Sequence, residues 1–465
     1  MKTTIRFLLL LYICPLIVGE EYLIKLKKSE SIQSFLKSTK SQSLQIKDDI
    51  KNHIRERFTF GAFRALVIDL PNDMIEKLKK NPTISEIIPN LKVNAFANSS
   101  TYSELLTYSD KIIIQREAPR HLSRLSRRGQ LPYDINNIDR YDNAFDYYFD
   151  AKYQGSSVNA YIIDTGIYKE HPEFEGRVKF AIDLTQEGPG DENGHGTHIA
   201  GIVGSKTFGV AKKVNIIDVK ALDKKGQGQL STILKALEFT IRHCKESVDK
   251  KCVANLSFGA IRTAIIDEAI KEAHNAGIVL VVAAGNSNID ACWNSPASSK
   301  DVITVGAFDD RTETIARFSN WGSCVDVFAP GVKVKSLSHI NGSDVLLLSG
   351  TSMASPSVSG IAAILLDKGL NPKFVKSKII ESSTKNIFHQ GTIMIKPNTP
   401  NLIVFNGIEK MDDSFEGARF PRIDFEGLIN ELKSYRVSVL DGSNMDNYSL
   451  GLDILNSSII DSTTF

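Results

Sequence analysis

The sequence predicts an α/β fold, a mostly parallel sheet flanked by helices on both faces, preceded by a small α+β domain. Three observations predict it. From Val158 onward, short β-branched runs alternate with segments of helical period. Strand and helix in alternation give a parallel sheet covered on both faces. Before that, residues 20–97 carry a different pattern of strand-like alternation and short helical runs. A polar stretch, from about Asn98 to Arg128, separates the two.

At the N-terminus, Lys2 and Arg6 precede an apolar run from Phe7 to Val18, with the small Gly19 after it. This is the layout of a signal peptide over residues 1–19. The run is short for a membrane anchor, and no later segment is apolar enough to span a bilayer. In the next region Glu21 to Lys27 alternates as a strand, and Ile46 to Phe58 is charged and helix-compatible. Phe63 to Leu70 alternates again, Asp73 to Lys80 reads as a short helix before Pro82, and Ile84 to Val93 as a last strand. The stretch containing Arg124, Arg127 and Arg128 has the composition of a linker, with Arg127-Arg128 as surface charge.

Buried strands are expected at Val158–Ile163, Val214–Val219, Val253–Ser257, Ile278–Ala283 and Val302–Val305. Leu230, Ile233, Leu234, Leu237 and Ile241 repeat with helical spacing. So do Ile265, Ile266, Ala269, Ile270 and Ala273, with Gly277 placed to end the helix. The pattern fades near Gly407, leaving a tail at 408–465 to which no role is assigned.

Of 465 residues, 42% are hydrophobic and 24% charged, the balance of a globular protein, at a length that suggests two or three parts. A net charge of +2 gives no reason to expect nucleic acid or an acidic membrane surface as a partner. Cys14 would leave with the signal. Cys244, Cys252, Cys292 and Cys324 form an even set in a chain bound for an oxidising compartment, so two disulfides are expected, in any of three pairings.

Three segments carry chemistry. Val158-Asn-Ala-Tyr-Ile-Ile-Asp164 puts a carboxylate directly after an apolar strand, at the sheet edge where sites form in such folds. Alone, such an Asp is more often a turn or cap residue. Asn193-Gly-His195-Gly-Thr-His198 surrounds His195 with glycines that allow close backbone approach. Its two histidines lack the intervening Glu of a zinc peptidase helix. Ser349-Gly-Thr-Ser352-Met-Ala-Ser-Pro356 precedes the apolar helical run Val358–Leu366. Ser352 therefore stands at or near a helix N-terminus, which favours developing negative charge and equally suits a capping serine.

Together these segments, with Ala283-Ala-Gly-Asn286, resemble the subtilase family of serine proteases, in its proteinase K branch. The order Asp, His, Ser is that of subtilisin itself. The resemblance spans roughly residues 118–407. Residues 20–97 resemble the inhibitory propeptide of the same enzymes, at Phe60-Gly-Ala-Phe63 and Asn81-Pro-Thr-Ile-Ser-Glu-Ile-Ile-Pro89. The resemblance implies a subtilisin-like catalytic domain over 113–407. A propeptide and linker would cover 20–112, self-processed between about 97 and 116. It implies a triad of Asp164, His195 and Ser352, with Asn286 and the Ser352 N–H as oxyanion donors.

It further implies strand-wise binding of polypeptide substrates along Gly226-Gln-Gly228 and Ser257-Phe258-Gly259. Ala283, Ala284 and Gly285 would line the pocket for the residue before the scissile bond. With no carboxylate among these positions, apolar or aromatic residues are expected there. Asp326 matches a family calcium ligand, with the carbonyls of Lys300 and Val302 beside it, so a structural calcium is expected and no cofactor for the chemistry. A disulfide joins the positions of Cys292 and Cys324 in some relatives, leaving Cys244 with Cys252. The propeptide would act as intramolecular inhibitor of a monomeric enzyme, either secreted or held in the lumen of a vacuole or other secretory compartment. Sequons at Asn98, Asn341, Asn447 and Asn456 offer glycosylation, whereas Asn255 fits the sequon on a strand expected to be buried. A lipase or esterase would want a Gly-x-Ser-x-Gly elbow, and Thr351-Ser352-Met353 lacks it.

Overall fold

The structure, a computed structural model, describes residues 21–41, 50–70, 72–95, 107–108, 112–134, 136–137 and 141–408. The expected signal segment, the tail, most of the expected processing segment, and Asn98, Asn447 and Asn456 lie outside them. Among the described residues, no helix is long and apolar enough to cross a membrane.

The N-terminal region contains β1 (Glu21–Leu26), α1 (Ile32–Ser41), β2 (Ile54–Phe60), β3 (Phe63–Asp69), α2 (Asn72–Leu78), β4 (Ile84–Pro89) and β5 (Lys92–Ala95). Strands β2-β3-β1-β4 form an antiparallel sheet in that order. Alternate residues of a strand face opposite sides, and both sides of this sheet are used. Ile24, Leu66 and Ile68 pack with Phe35, Ile75 and Leu78 of the region's own helices. Leu23, Phe58, Phe60, Ala65 and Val67 join the core of the domain that follows.

Two expectations are corrected here. The helix expected over Ile46–Phe58 is helical only at Ile50–His53 among its described residues, and from Ile54 the chain is strand. Exposure there alternates with period two, Arg55, Arg57 and Thr59 outward and Phe58 and Phe60 inward. The strand expected over Ile84–Val93 is two strands, of which only β4 belongs to this sheet.

The expected linker is also structured from residue 112. β6 (Ile112–Ala118) leads into α3 (Arg120–Leu125), and β6 pairs antiparallel with β7 (Phe145–Asp150). Arg127 is buried and sits over the Tyr148 ring, so only Arg128 of that pair is surface charge. Arg124 is 0% exposed and Arg120 nearly so. Arg120 pairs with Asp310 at 2.7 Å, and Arg124 with Glu313 at 2.8 Å. Burial pulls the Arg124 guanidinium below its ordinary value and pushes the Glu313 carboxyl above its own, against their mutual attraction.

The catalytic-size domain follows as β8 (Asn159–Asp164), β9 (Val178–Asp183), α4 (His195–Gly204), β10 (Asn215–Lys220), β11 (Gln227–Gln229), α5 (Leu230–Glu246), β12 (Cys252–Leu256), β13 (Phe258–Ile261), α6 (Ala264–Asn275), β14 (Ile278–Ala283), β15 (Ile303–Asp309), β16 (Val327–Pro330), α7 (Thr351–Asp367), α8 (Pro372–Ser382), β17 (Thr384–Lys385) and β18 (Leu402–Ile403). The sheet runs β9-β10-β8-β12-β14-β15-β16-β18-β17. It is parallel up to β18, and β17 is antiparallel. Ala160 and Ile162 of β8 share a core with α4, α7 and α8. Tyr161 and Ile163, on the opposite face, share one with α5 and α6. All five expected strands and both expected helices are present. β9 escaped notice because it is an edge strand with half-exposed residues, and β16 because it is short and ends in Pro330. Cys244 bonds to Cys252 and Cys292 to Cys324, the pairing the resemblance implied. Asn255 is 1% exposed on β12, as expected.

Removing one partner of a buried ion pair strands the other charge. Arg124→Ala should therefore cost about 3–5 kcal/mol. Arg128→Ala, on the surface, should cost under about 1 kcal/mol. Thermal unfolding of the two variants checks this. A second expectation concerns His121, fully buried, whose Nε2 meets the Phe208 carbonyl at 3.1 Å. Burial lowers its pKa to about 4. Between that value and the ordinary 6.5 the unfolded chain carries a proton the folded chain does not, so acidification across this window removes stability. His121→Gln keeps a donor and cannot titrate, and its melting temperature should fall less from pH 6.5 to 4 than that of the unaltered protein.

Candidate active site

Asp164 is the last residue of β8 and 0% exposed. A buried carboxylate needs hydrogen bonds. Its Oδ1 accepts from the Thr165 N–H at 2.8 Å and meets His195 Nδ1 at 2.7 Å. His195 opens α4 and is 3% exposed. Parallel neighbours carry the strand end and the helix start to the same edge of the sheet.

Asp191 holds the loop before His195. Its Oδ1 accepts from the Asn193 and Gly194 N–H groups and from Thr165 Oγ1, and its Oδ2 from the N–H and hydroxyl of Thr197. Of the otherwise unpaired N–H groups in the first turn of α4, Asp191 takes that of Thr197, Thr165 Oγ1 that of Gly196 and Asn193 Oδ1 that of His195. Gly194 adopts φ +95°, and a Cβ on Gly196 would lie 2.1 Å from the Gly166 carbonyl oxygen. The close backbone approach expected of these glycines is therefore present at Gly196, whereas the neighbour packed against Gly194 is the His339 side chain. Sequence reasoning passed over Asp191, which lies three residues before the N-cap Gly194, outside the position where a capping side chain is read. It also passed over Asp218 on β10, whose carboxyl is pushed well above the ordinary range by burial, and by the charge of Asp191.

His198 does not join a metal pair. Its Nε2 meets the carbonyls of Val334 and Leu346 at 3.2 Å each, and burial lowers its pKa to about 3, so it stays neutral. Among the described residues no cluster of three or more His, Cys, Asp and Glu side chains could hold a metal ion.

Ser352 is the second residue of α7 and 0% exposed. Its hydroxyl donates to the Ser257 carbonyl at 3.0 Å. Pro356, inside the helix, has no N–H to offer the Ser352 carbonyl four residues back. The Ser257 hydroxyl lies on that carbonyl instead, at 3.2 Å. Ser257 is itself held by Asn255 Nδ2 and the Ser355 hydroxyl. The helix of Ser352 is thus tied to the end of β12.

Asn286 follows β14 through Gly285, which adopts φ +105°. Its Oδ1 accepts from both the N–H and the hydroxyl of Thr351, at 2.9 and 2.8 Å. The oxygen end of the amide is committed to Thr351, so the donor end is the one turned to meet another group. The Thr351 hydroxyl also accepts from the Gly285 N–H. Thr351 was not singled out from the sequence, and only its contacts reveal its part.

The expected cleft strands are both present, and β5 lies between them. Lys92, Val93 and Asn94 face Gln229, Gly228 and Gln227, and Asn94 and Ala95 face Gly259 and Phe258, all antiparallel. The Ala95 N–H donates to the Gly226 carbonyl at 2.8 Å. Ala283 and Ala284 are buried at the end of β14, with Gly285 half-buried.

Asp326 and the carbonyls of Lys300 and Val302 are also brought together, but around a different cation. The Lys376 Nζ lies 2.9 Å from Asp326 Oδ2, 2.8 Å from the Val302 carbonyl and 3.3 Å from that of Lys300. Calcium takes six to eight oxygens in direct contact, and an ammonium already stands on these three. With the ammonium in place, these three oxygens do not also fit a calcium ion.

The Subtilase family model matches residues 155–397. The chain is 48% identical over 439 residues to "Subtilase-type proteinase RRT12" of Saccharomyces cerevisiae, covering 90% of this chain and 89% of that protein. It is 36% identical over 402 residues to "Cerevisin" of the same organism, covering 80% and 58%. A solved cold-adapted subtilisin-like serine proteinase aligns with TM-score 0.55 and 35% identity, over 63% of this chain and all of that one. The chain belongs to the subtilase family, and it is a subtilisin-like serine endopeptidase.

If Asn286 serves a substrate oxyanion, Asn286→Ala should lower kcat by about 10²–10³-fold, the range known for such a donor in subtilisin itself. Thr351→Val removes one of two bonds that aim the amide. At about 1 kcal/mol for that bond, kcat should fall about five-fold with KM little changed. Steady-state kinetics on a peptide substrate checks both.

Proposed function

We propose that the protein is made as a zymogen, whose N-terminal region is an inhibitory propeptide lying in the cleft of the endopeptidase that follows it. The observation that supports this reading is the place of β5. An extended segment paired on both sides to exposed backbone is how a peptide adds to a sheet edge, and β5 pairs in this way with β11 and β13. A substrate would bind in the same slot once the propeptide has left.

In that slot Ser352 is the nucleophile. Its single proton now points to the Ser257 carbonyl, and must turn to His195 before attack. His195 takes the proton as Oγ bonds to the scissile carbonyl carbon, and Asp164 holds the imidazole in the required tautomer and stabilises the imidazolium. The oxyanion takes hydrogen bonds from Asn286 Nδ2 and the Ser352 N–H, at the positive end of α7. Collapse expels the amine with the proton from His195. Water, deprotonated by His195, then releases the acyl group by the same route in reverse.

The register also supports a processing bond. Asn94 and Ala95 face Gly259 and Phe258, and the residue before Phe258, Ser257, holds the Ser352 hydroxyl on its carbonyl. β5 therefore ends beside the residue that holds Ser352, directly before the expected processing segment at about 97–116, most of which lies outside the described residues. Ala283, Ala284 and Gly285 carry no charge, which supports apolar or aromatic preference in the pocket they would line. The two disulfides and the apolar run Phe7–Val18 support passage through the secretory pathway, to the exterior or to a vacuolar lumen.

The test compares the full chain with Ser352→Ala by N-terminal sequencing and peptide-library profiling. The active chain should yield a new N-terminus between about residues 97 and 116 and cleave after apolar or aromatic residues, while Ser352→Ala keeps its N-terminal region. Equal loss of that region from both chains would overturn self-processing. Cleavage after arginine in preference to leucine or phenylalanine would overturn the specificity.

A further inference from the structure

We infer that the Lys376 ammonium is the resident cation of the Asp326 site, built into the chain where the family resemblance implied a calcium ion. The geometry matches an ammonium group by group. A lysine Nζ has three N–H donors and no acceptor, and here it has three acceptors: Asp326 Oδ2, the Val302 carbonyl and the Lys300 carbonyl. One of these is a full negative charge, so a single positive charge balances the site, whereas a calcium ion would leave it with net positive charge.

The site's oxygens come from two places in the chain. Lys300 and Val302 immediately precede β15, and Asp326 immediately precedes β16. These strands are neighbours in the sheet, paired from Val305 with Val327 to Phe308 with Pro330. Asp326 is locked into that corner by Thr304: its N–H donates to the Thr304 carbonyl, and its Oδ2 accepts the Thr304 N–H, both at 2.9 Å. Lys376 arrives from a third element, α8, whose Val375 and Ile379 are buried in the core. Their packing fixes the face of α8 that delivers the lysine. The ammonium therefore ties the amino-terminal ends of β15 and β16 to α8. Asp164 and Asn286 follow the carboxyl ends of their strands, so this clamp lies at the opposite edge of the sheet from the chemistry. It acts on stability and not on the reaction.

The side chains are partly screened. Asp326 is 16% exposed and Lys376 33%. A lysine there makes the corner's integrity independent of the calcium concentration around the enzyme. A bound ion stabilises by an amount that depends on its free concentration, while a covalently attached ammonium is always present.

The test uses the full chain in a Ser352→Ala background, to prevent self-digestion. Thermal unfolding is followed in chelator and in millimolar calcium chloride, and terbium luminescence reports lanthanide binding. The unaltered site should show the same melting temperature in both solutions and no terbium signal that Asp326→Asn removes. Lys376→Met and Asp326→Asn should each lower the melting temperature by several degrees. The double variant should lose less than the sum, since both single changes break the same contact. A melting temperature that falls in chelator, with the fall abolished by Asp326→Asn, would overturn the inference and restore a metal. So would strictly additive losses in the double variant. The chelator and terbium measurements on the unaltered site keep the inference testable should a variant fail to fold.

Discussion

The hydrogen bond between Asp164 and His195 joins the end of a central strand to the start of a helix, and much of the surrounding backbone exists to hold its two ends still. Asp164 can be fully buried because the Thr165 N–H and the imidazole take up its Oδ1. His195 can open α4 because Asp191 absorbs the unpaired donors around it. Thr165 links the two carboxylates, donating to Asp191 and accepting from the Gly196 N–H. A loosening anywhere in this chain would be felt at the imidazole, since reaction geometry tolerates little displacement.

The same economy governs Ser352. Pro356 deprives α7 of a bond at the turn carrying Ser352, and Ser257 supplies the missing partner from the end of β12. Ser257 also immediately precedes β13, against which β5 pairs. The residue that steadies the helix and the backbone that pairs with an extended segment are therefore contiguous. That pairing is made by the main chain and is indifferent to side chains.

Cations that tie distant segments together form a second theme. Lys220 is 1% exposed, with its Nζ on the carbonyls of Thr165 and Gly190. Lys376 stands on two carbonyls and a carboxylate, and Arg124 on Glu313. In each case an ammonium or guanidinium holds loops that meet only in the folded chain. Composition counts these residues as ordinary charge, and nothing local marks them as interior.

Local pattern determined much by itself. Five parallel strands and two covering helices were legible because apolar residues recur with a period that burial imposes. Asp164, His195, Ser352 and Asn286 were legible because each sits in a short motif of small residues at a strand end or helix start, where local backbone geometry dictates composition. Tertiary structure alone decided whatever depends on a partner distant in sequence. Thr351 aims Asn286 across 65 residues. Arg124 finds Glu313 across 189 residues, turning an apparent linker into core. The charged run at Ile54–Phe60 becomes strand because Phe58 and Phe60 have a neighbouring domain to bury against. The Asp326 site shows the limit most plainly. Its three oxygens could be named from sequence, yet the cation they hold comes from a helix about fifty residues further on, which no local pattern connects to them.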